Sequence, residues 1–139
     1  MPLAHLGITV QDISKARAFY EAALKPLGYT VQVTFLDDKV LGLGEHYPDF
    51  WISEVNARKT EEEKKALPPQ SGPAGEFIHL AFSAKSRDEV DQFYEAAIAA
   101  GAKDNGAPGL RPHYGPTYYG AFVYDIEGRN LEAVYLGEA

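Results

Sequence analysis

Two histidines at matching positions of an internal repeat are the side chains of this sequence best suited to chemistry. His5 and His79 each open a short apolar run, and 79 − 5 gives a spacing of 74 residues. The segment FYEAAL at residues 19–24 recurs as FYEAAI at residues 93–98, and 93 − 19 gives the same 74. A repeat unit that is too small to close its own core packs against its copy. The repeat therefore predicts two similar modules, with the two histidines meeting near the axis that relates them.

The amino-acid composition limits which residues could bind a metal and which kinds of partner are expected. The chain has 139 residues, 45% of them hydrophobic and 24% charged, which is typical of a globular protein. It has no cysteine, so any metal site must use His, Asp or Glu. A net charge of −7 without a basic stripe argues against nucleic acid and anionic membrane surfaces. Because no long apolar run or signal-like start occurs, we expect a cytoplasmic protein that binds a small molecule.

Hydrophobic periodicity predicts the order βαβββ in each half of the chain. In the first half we expect strands at residues 5–10, 29–36, 40–44 and 50–55, and a helix at 13–24 with Asp12 as its N-cap. In the second half we expect strands at 77–84, 118–124 and 130–136, and a helix from Ser86 to about residue 100. Residues 103–117 contain three glycines and three prolines, so we expect at most a short strand there before a long loop.

A change of composition separates the two halves. Residues 56–75 are rich in Lys, Glu, Pro, Gly and Ser, and the charged run 61–65 precedes Pro68 and Pro69. Such a run is typical of a solvated surface, and the prolines end it. We therefore predict a single domain made of module one at 1–55, a linker at 56–75 and module two at 76–139.

Three segments carry a resemblance to a known family. They are the opening HLGITV with its helical AFYEAA, the second opening IHLAF at residues 78–82, and the closing DIEGRNLE at residues 125–132. In this order, on a repeat, they resemble the vicinal oxygen chelate superfamily, which includes glyoxalase I, the fosfomycin- and bleomycin-resistance proteins and the extradiol dioxygenases. The resemblance covers nearly the whole chain. It implies an α+β fold of two βαβββ modules that form a curved, incomplete barrel around a central cavity, and a homodimer.

The resemblance also implies a metal site. It places the ligands on His5, His79 and Glu132, with Glu132 also a catalytic candidate. Two imidazoles and one carboxylate leave about three open positions on a divalent Fe, Mn, Ni or Zn ion. The alternative is that both histidines are buried structural residues and that the glutamate lies at a sheet edge.

Trp51 stands where glyoxalase I supplies a fourth ligand. We align Leu41 to Trp51 with Phe122 to Glu132, since both intervals are ten residues (51 − 41 and 132 − 122). An indole cannot bind a divalent cation, so we expect Trp51 to line the cavity or stack on a flat ligand. A slip in strand register would instead bring Asp49 to the metal.

The loop before the penultimate strand offers further candidates. His113 and Tyr118 are candidate acids or bases, and Tyr114 and Tyr119 are candidate ligand-binding residues. Arg111 is a candidate partner for an anionic substrate group, with a surface ion pair as the alternative. The alternative for the whole loop is a rigid aromatic cover over the barrel mouth.

Two functions follow from these residues. The first is a metal-dependent lyase, isomerase or ring-cleaving dioxygenase that acts on a small substrate chelating through two adjacent oxygens. The second is a metal-free binding or sequestering protein, similar to the drug-binding members, with Trp51 and the loop tyrosines lining an aromatic pocket. The histidines and the glutamate favour the first, and Trp51 in place of a carboxylate favours the second.

Overall fold

The computed structural model describes residues 3–55, 57, 60, 62 and 78–138, and within them the βαβββ order occurs twice. The first unit consists of β1 (Leu6–Val10), α1 (Ile13–Leu24), a 3₁₀ turn (Lys25–Leu27), β2 (Thr30–Phe35), β3 (Val40–Gly44) and β4 (Phe50–Glu54). The second consists of β5 (His79–Ser83), α2 (Arg87–Ala99), β6 (Lys103–Leu110), β7 (Tyr119–Tyr124) and β8 (Asn130–Tyr135).

The two units form two four-stranded sheets of the same topology. Their strand orders are β1-β4-β3-β2 and β5-β8-β7-β6. In each sheet the first strand is parallel to the last, and the other neighbours are antiparallel. The sheets are not closed into a barrel, which agrees with the curved, incomplete barrel expected. The predicted α+β class and the module order are confirmed.

Local sequence signals explain both helices. The Asp12 carboxylate accepts a hydrogen bond from the Lys15 amide at 3.1 Å, and the Ser86 hydroxyl accepts one from the Glu89 amide at 3.1 Å. These bonds satisfy backbone donors that a helix start leaves free. After the 3₁₀ turn, Gly28 adopts φ +83°, a conformation that glycine reaches without a Cβ clash. The predicted start and end of α1 are confirmed.

The prediction for residues 103–117 was wrong in one respect, because β6 is an eight-residue strand. Glycine and proline favoured a loop there, but β6 is the edge strand of its sheet, where a residue without an N–H donor is tolerated. The pairing with β7 shifts register on both sides of Gly106, which has φ +143°. Such bulges allow a strand of this composition to stay paired.

The core is shared by the two units. Phe19 on α1 and Phe93 on α2, the repeated phenylalanines, are both buried. The ring of Phe82 in the second sheet packs edge-on against Tyr29 and Phe50 of the first, with centroids 5.8 and 5.4 Å apart. These contacts join the two modules through their helix-facing sides.

A buried polar network, here called the inter-module latch, ties the first module to the turn before β8. It consists of Tyr20, Asp125, Arg129 and the carbonyl of Thr9. The Tyr20 hydroxyl donates to Asp125 Oδ2, and Arg129 donates from Nη1 to the same oxygen at 3.1 Å and from Nη2 to the Thr9 carbonyl. Because all three side chains are almost fully buried, each depends on the others for its partners.

Most of the predicted linker lies outside the described residues. This includes four of the five residues of the charged run at 61–65. The division at 1–55, 56–75 and 76–139 therefore stays a prediction. Within the described ranges, no helix has both the length and the apolar character needed to cross a membrane.

Candidate functional site

Glu132 and His79 form a close pair on the open face of the second sheet. Glu132 lies on β8, opposite Ala81 of β5 and Phe122 of β7, and only 2% of its surface is exposed. The His79 side chain, at the start of β5, is 44% exposed. Its Nε2 atom lies 2.9 Å from Glu132 Oε2. The parallel pairing of β5 with β8 thus brings together two candidate ligands that are 53 residues apart.

The His79 ring has an acceptor on both sides. Nδ1 lies 3.2 Å from the backbone carbonyl oxygen of Asn130, while Nε2 faces the Glu132 carboxylate. A neutral imidazole has one N–H group and can satisfy only one of these acceptors. When Nδ1 carries that proton, the lone pair of Nε2 faces a carboxylate oxygen. That tautomer suits a cation bound between Nε2 and Glu132, whereas the other tautomer donates a hydrogen bond from Nε2 to the carboxylate.

Tyr118 holds the other oxygen of Glu132. Its hydroxyl donates to Oε1. Partial burial raises the pKa of Tyr118 well above its usual value, and the hydrogen bond to the carboxylate adds to this effect. Tyr118 therefore stays protonated at neutral pH and remains a donor to Glu132.

The loop aromatics extend from Tyr118 toward solvent. The ring of Tyr114 lies 5.2 Å from that of Tyr118, and the ring of His113 lies 4.1 Å from that of Tyr114. His113 and Tyr114 are both exposed. Tyr114 therefore lies beside Tyr118, and His113 lies one ring further out, with no hydrogen bond from either to the Glu132 carboxylate.

Tyr119 is not brought to this site. Its hydroxyl donates to Asp91 on α2 at 2.7 Å, and the guanidinium of Arg87 lies 5.0 Å from its ring centre. The hydrogen bond raises the pKa of Tyr119, with burial adding to it. Tyr119 therefore joins β7 to the helix side, whereas its neighbour Tyr118 faces Glu132.

His5 and Trp51 lie in a separate groove of about 800 Å³ on the first sheet. Its lining comes from the first module alone: His5, Gly7, Phe35, Leu36, Pro48, Trp51 and Ser53. The single chain thus does not bring His5 to His79 and Glu132. Over the described ranges no three His, Asp or Glu side chains are grouped so that they could hold a metal ion. Their convergence on one ion stays a prediction.

The strand registers correct one detail of the repeat alignment. Trp51 is opposite Gly42 in the first sheet, and Glu132 is opposite Phe122 in the second. Phe122 therefore corresponds to Gly42, and the alignment of Phe122 with Leu41 was one residue off. The equivalence of Trp51 and Glu132 holds.

Asp49 does not replace Trp51 as a carboxylate. Its Oδ2 atom accepts a hydrogen bond from the Tyr29 hydroxyl at 3.0 Å. Tyr29 packs on Phe82 in the shared core, so this carboxylate is engaged on the core side. Trp51 instead faces the groove, where its ring stacks on Phe35 at 6.1 Å with an angle of 15° between the planes.

Phe122 belongs to the site although no sequence motif indicated a role for it. Its ring is stacked on His79 at a centroid distance of 6.1 Å, and the Arg111 guanidinium lies 5.5 Å from its centre. Alternation along β7 could have placed Phe122 on the same face as Glu132, since the two are cross-strand partners. The Asn130 carbonyl has no sequence signal, because every residue has one.

Comparison with family models gives a match over most of the chain. The model described as "Glyoxalase/Bleomycin resistance protein/Dioxygenase superfamily" matches residues 3–132. A comparison with curated proteins found no match.

Several solved structures have the same fold. A glyoxalase/bleomycin resistance protein from Albidiferax ferrireducens T118 has a TM-score of 0.72 and 23% identity, covering 97% of this chain and 98% of that one. A glyoxalase/bleomycin resistance protein/dioxygenase family enzyme from Burkholderia phytofirmans PsJN has a TM-score of 0.69 and 22% identity, covering 97% and 98%. A lactoylglutathione lyase from Agrobacterium tumefaciens has a TM-score of 0.62 and 14% identity, covering 94% and 90%. Similarity at these identities establishes the fold alone.

Proposed function

We propose, since this chain belongs to the glyoxalase/bleomycin resistance protein/dioxygenase superfamily, that it is a metal-dependent enzyme acting on a small, oxygen-chelating substrate. The observation that carries the proposal is the His79 ring, whose Nε2 faces the Glu132 carboxylate while Nδ1 faces a carbonyl. An Nδ1–H bond to a carbonyl is the usual way to orient Nε2 toward a metal. Imidazole and carboxylate donors suit Fe, Mn, Ni or Zn.

We assign the third ligand to His5 of a second copy of the chain. Both open faces expose apolar side chains: Phe35 and Leu36 near Trp51 are 52% and 50% exposed, and Tyr114, which packs on Tyr118 beside Glu132, is 62% exposed. Exposed apolar groups of this kind favour association. In a twofold homodimer, the first module of one subunit would cover the second module of the other. This arrangement supplies His5 to a His79–Glu132 pair that lacks it within its own chain.

The chain's own residues have separate roles in this proposal. A divalent ion, when bound, would supply Lewis-acid stabilisation of negative charge on two adjacent substrate oxygens. Glu132 supplies the one formal negative charge among the ligands, and Tyr118 orients it through Oε1. We assign to His113, on the exposed loop beside Tyr114, the exchange of a proton with substrate.

Metal analysis tests the proposal directly. Tag-free protein prepared without chelator should contain Fe, Mn, Ni or Zn, and Glu132→Gln and His79→Ala should each reduce that content strongly. His46→Ala is the matched control, because His46 is exposed and its nearest charged partner is Glu45, at 3.8 Å. Equal metal content in Glu132→Gln and wild type would contradict the proposal.

Mixed dimers test the assignment of His5. His5→Ala and Glu132→Gln should each lose metal alone. When the two are unfolded together and refolded at equal concentrations, half of the dimers are mixed, and each mixed dimer has one intact site. The mixture should recover about a quarter of the wild-type metal content. Absence of recovery would show that the site does not combine His5 and Glu132 from different subunits.

The reaction class is open between lyase or isomerase chemistry and ring-cleaving dioxygenase chemistry. Oxygen consumption separates them, because a dioxygenase incorporates O₂ and an isomerase or lyase does not. With catechol as the probe and Fe or Mn added, oxygen uptake that depends on Glu132 would assign the dioxygenase class. Its absence favours the isomerase or lyase class.

A second candidate function rests on the Trp51 groove. The stacked pair of Trp51 and Phe35 beside an open groove suits a metal-free protein that binds or sequesters a flat molecule. A planar aromatic probe should then quench the fluorescence of Trp51, the only tryptophan in the chain. Phe35→Ala should weaken that quenching, and Tyr124→Ala on the other sheet is the control. Quenching with no metal bound would favour this function over the enzyme.

A further inference from the structure

A hydrogen bond and an aromatic contact fix the position of the Arg111 side chain. Its Nη2 atom donates to the Ala107 carbonyl at 2.7 Å, and the guanidinium lies 5.5 Å from the centre of the Phe122 ring. Gly106 and Gly109 make room for it, because a Cβ at either position would lie 3.2 or 3.1 Å from a guanidinium nitrogen. The two glycines of the bulged strand β6 thus allow the guanidinium to pack against the backbone.

The charge of Arg111 is not neutralised within the described part of the chain. A guanidinium has five N–H groups. Arg111 uses two of its nitrogens on neutral carbonyls, those of Ala107 and, at 3.5 Å, Leu110. By contrast, Arg17 pairs with Glu21, and Arg129 pairs with Asp125. Among the described residues of this acidic chain, no carboxylate lies within ion-pair distance of Arg111.

The position of Arg111 connects it to the candidate site. The Arg111 guanidinium and the His79 imidazole both lie against the Phe122 ring, at 5.5 and 6.1 Å from its centre. Phe122 is also the cross-strand partner of Glu132. The free donors of Arg111 therefore share the open face of the second sheet with the His79–Glu132 pair.

We infer that Arg111 forms a subsite for an oxyanion group of the substrate, a carboxylate or a phosphate. The planar guanidinium fork matches both groups and can bind either through two parallel hydrogen bonds. Resting on the function proposed above, this inference narrows the substrate to a small anion that has two adjacent chelating oxygens and a separate acidic group. Phe122 contacts both anchoring groups, so its ring can pack on the carbon skeleton of the substrate.

The test uses full-length protein treated with chelator, so that the metal site does not contribute. Inorganic phosphate and acetate are titrated separately at low ionic strength, and binding is followed through the arginine Nε–H signals in NMR spectra. The Arg111 signal should shift with at least one anion, and Arg111→Gln should lower the affinity about tenfold or more. Arg111→Lys should restore part of it, because lysine keeps the charge and loses the fork.

Two further variants distinguish anion binding at Arg111 from nonspecific attraction to surface charge. Arg17→Gln removes an arginine that is already paired with Glu21, so anion binding should not change. Gly109→Ala keeps the Arg111 charge and crowds its guanidinium, so the affinity should fall. A stronger response to phosphate than to acetate assigns a phosphate group, and the reverse assigns a carboxylate.

The inference fails if Arg111→Gln binds both anions as tightly as wild type does, or if Arg17→Gln loses as much affinity as Arg111→Gln. Neither result depends on bound metal. A failure of the metal proposal, seen as equal metal content in Glu132→Gln and wild type, is therefore distinguishable from a failure of the anion subsite.

Discussion

Trp51 occupies in the first sheet the position that Glu132 occupies in the second. Trp51 on β4 pairs with Gly7 and Gly42, and Glu132 on β8 pairs with Ala81 and Phe122 in the same pattern of one parallel and one antiparallel neighbour. The two modules therefore share a backbone plan and differ in chemistry, with an aromatic groove on one and a carboxylate on the other.

The first prediction concerns the isomerisation of glutathione hemithioacetal. We expect no turnover above the protein-free blank, with Zn or Ni added, because an indole lies where that reaction needs a fourth, carboxylate ligand and Asp49 is held by Tyr29. Thioester formation, followed by ultraviolet absorbance, provides the measurement. Robust turnover that Glu132→Gln abolishes would contradict the prediction.

The second prediction concerns the hydrogen bond from Tyr118 to Glu132. Tyr118→Phe should weaken metal retention by about 10- to 100-fold, since residues that orient a ligand typically contribute this much. Competition with a chromogenic chelator measures the change. Tyr114→Phe is the matched control, because Tyr114 packs on Tyr118 and the hydroxyl bound to Glu132 belongs to Tyr118. An equal loss in both variants would mean that loop packing, and not the hydrogen bond, is responsible.

The sequence predicted those parts of the molecule that local rules determine. Asp12 and Ser86 cap their helices as expected, because a cap acts within one turn. The length of strand β6 was underestimated. Its proline is tolerated because β6 is an edge strand, and edge position is a tertiary property.

In the candidate site, too, some features could be predicted from the sequence and others depend on tertiary packing. The family resemblance identified His79 and Glu132, and the structure brings these two into contact. The placement of His5 depends on which module faces pack together, and that packing is set by contacts between residues far apart in sequence. Alternation along β7 indicates the face on which Phe122 lies, but its contacts with His79 and Arg111 depend on tertiary packing.

The third prediction concerns stability and the inter-module latch. Tyr20→Phe removes the hydroxyl that donates to Asp125 and leaves a buried carboxylate with one partner fewer. We expect a loss of about 1–3 kcal/mol in the free energy of unfolding, measured by urea denaturation. Tyr94→Phe is the control, because its hydrogen bond to Asp104 is exposed and its loss should leave the midpoint unchanged. Equal stability of Tyr20→Phe and wild type would show that the latch bond adds nothing net.

The fourth prediction concerns alkaline pH. Burial, followed by the charge of Asp125, raises the pKa of Tyr20 well above 10, and burial with the Asp49 hydrogen bond raises that of Tyr29. Both contributions to stability are fully present below about pH 10, where the unfolded tyrosines are protonated, and are lost as the pH rises further. Stability should therefore fall above pH 10.

Urea denaturation at pH 9, 10 and 11 checks this slope. Tyr20→Phe should reduce it by up to about 1.4 kcal/mol per pH unit, since one proton fewer is then released on unfolding. Tyr29 is more exposed than Tyr20, so solvent screening makes its contribution to the pH dependence of stability smaller. An unchanged slope in Tyr20→Phe would rule out Tyr20 as its source.

The inter-module latch has a consequence for folding of the chain during its synthesis on the ribosome. Tyr20 and Asp125 are 105 residues apart, and Arg129 and Thr9 are 120 apart. The last residue of β4 is Glu54, so 129 − 54 = 75 residues must follow before the latch can close. At typical synthesis rates this takes roughly 4–15 s. Throughout that interval Tyr20 lacks its partner Asp125 and the core that the two modules share is incomplete, so the nascent first module is a candidate substrate for chaperones that bind exposed apolar groups.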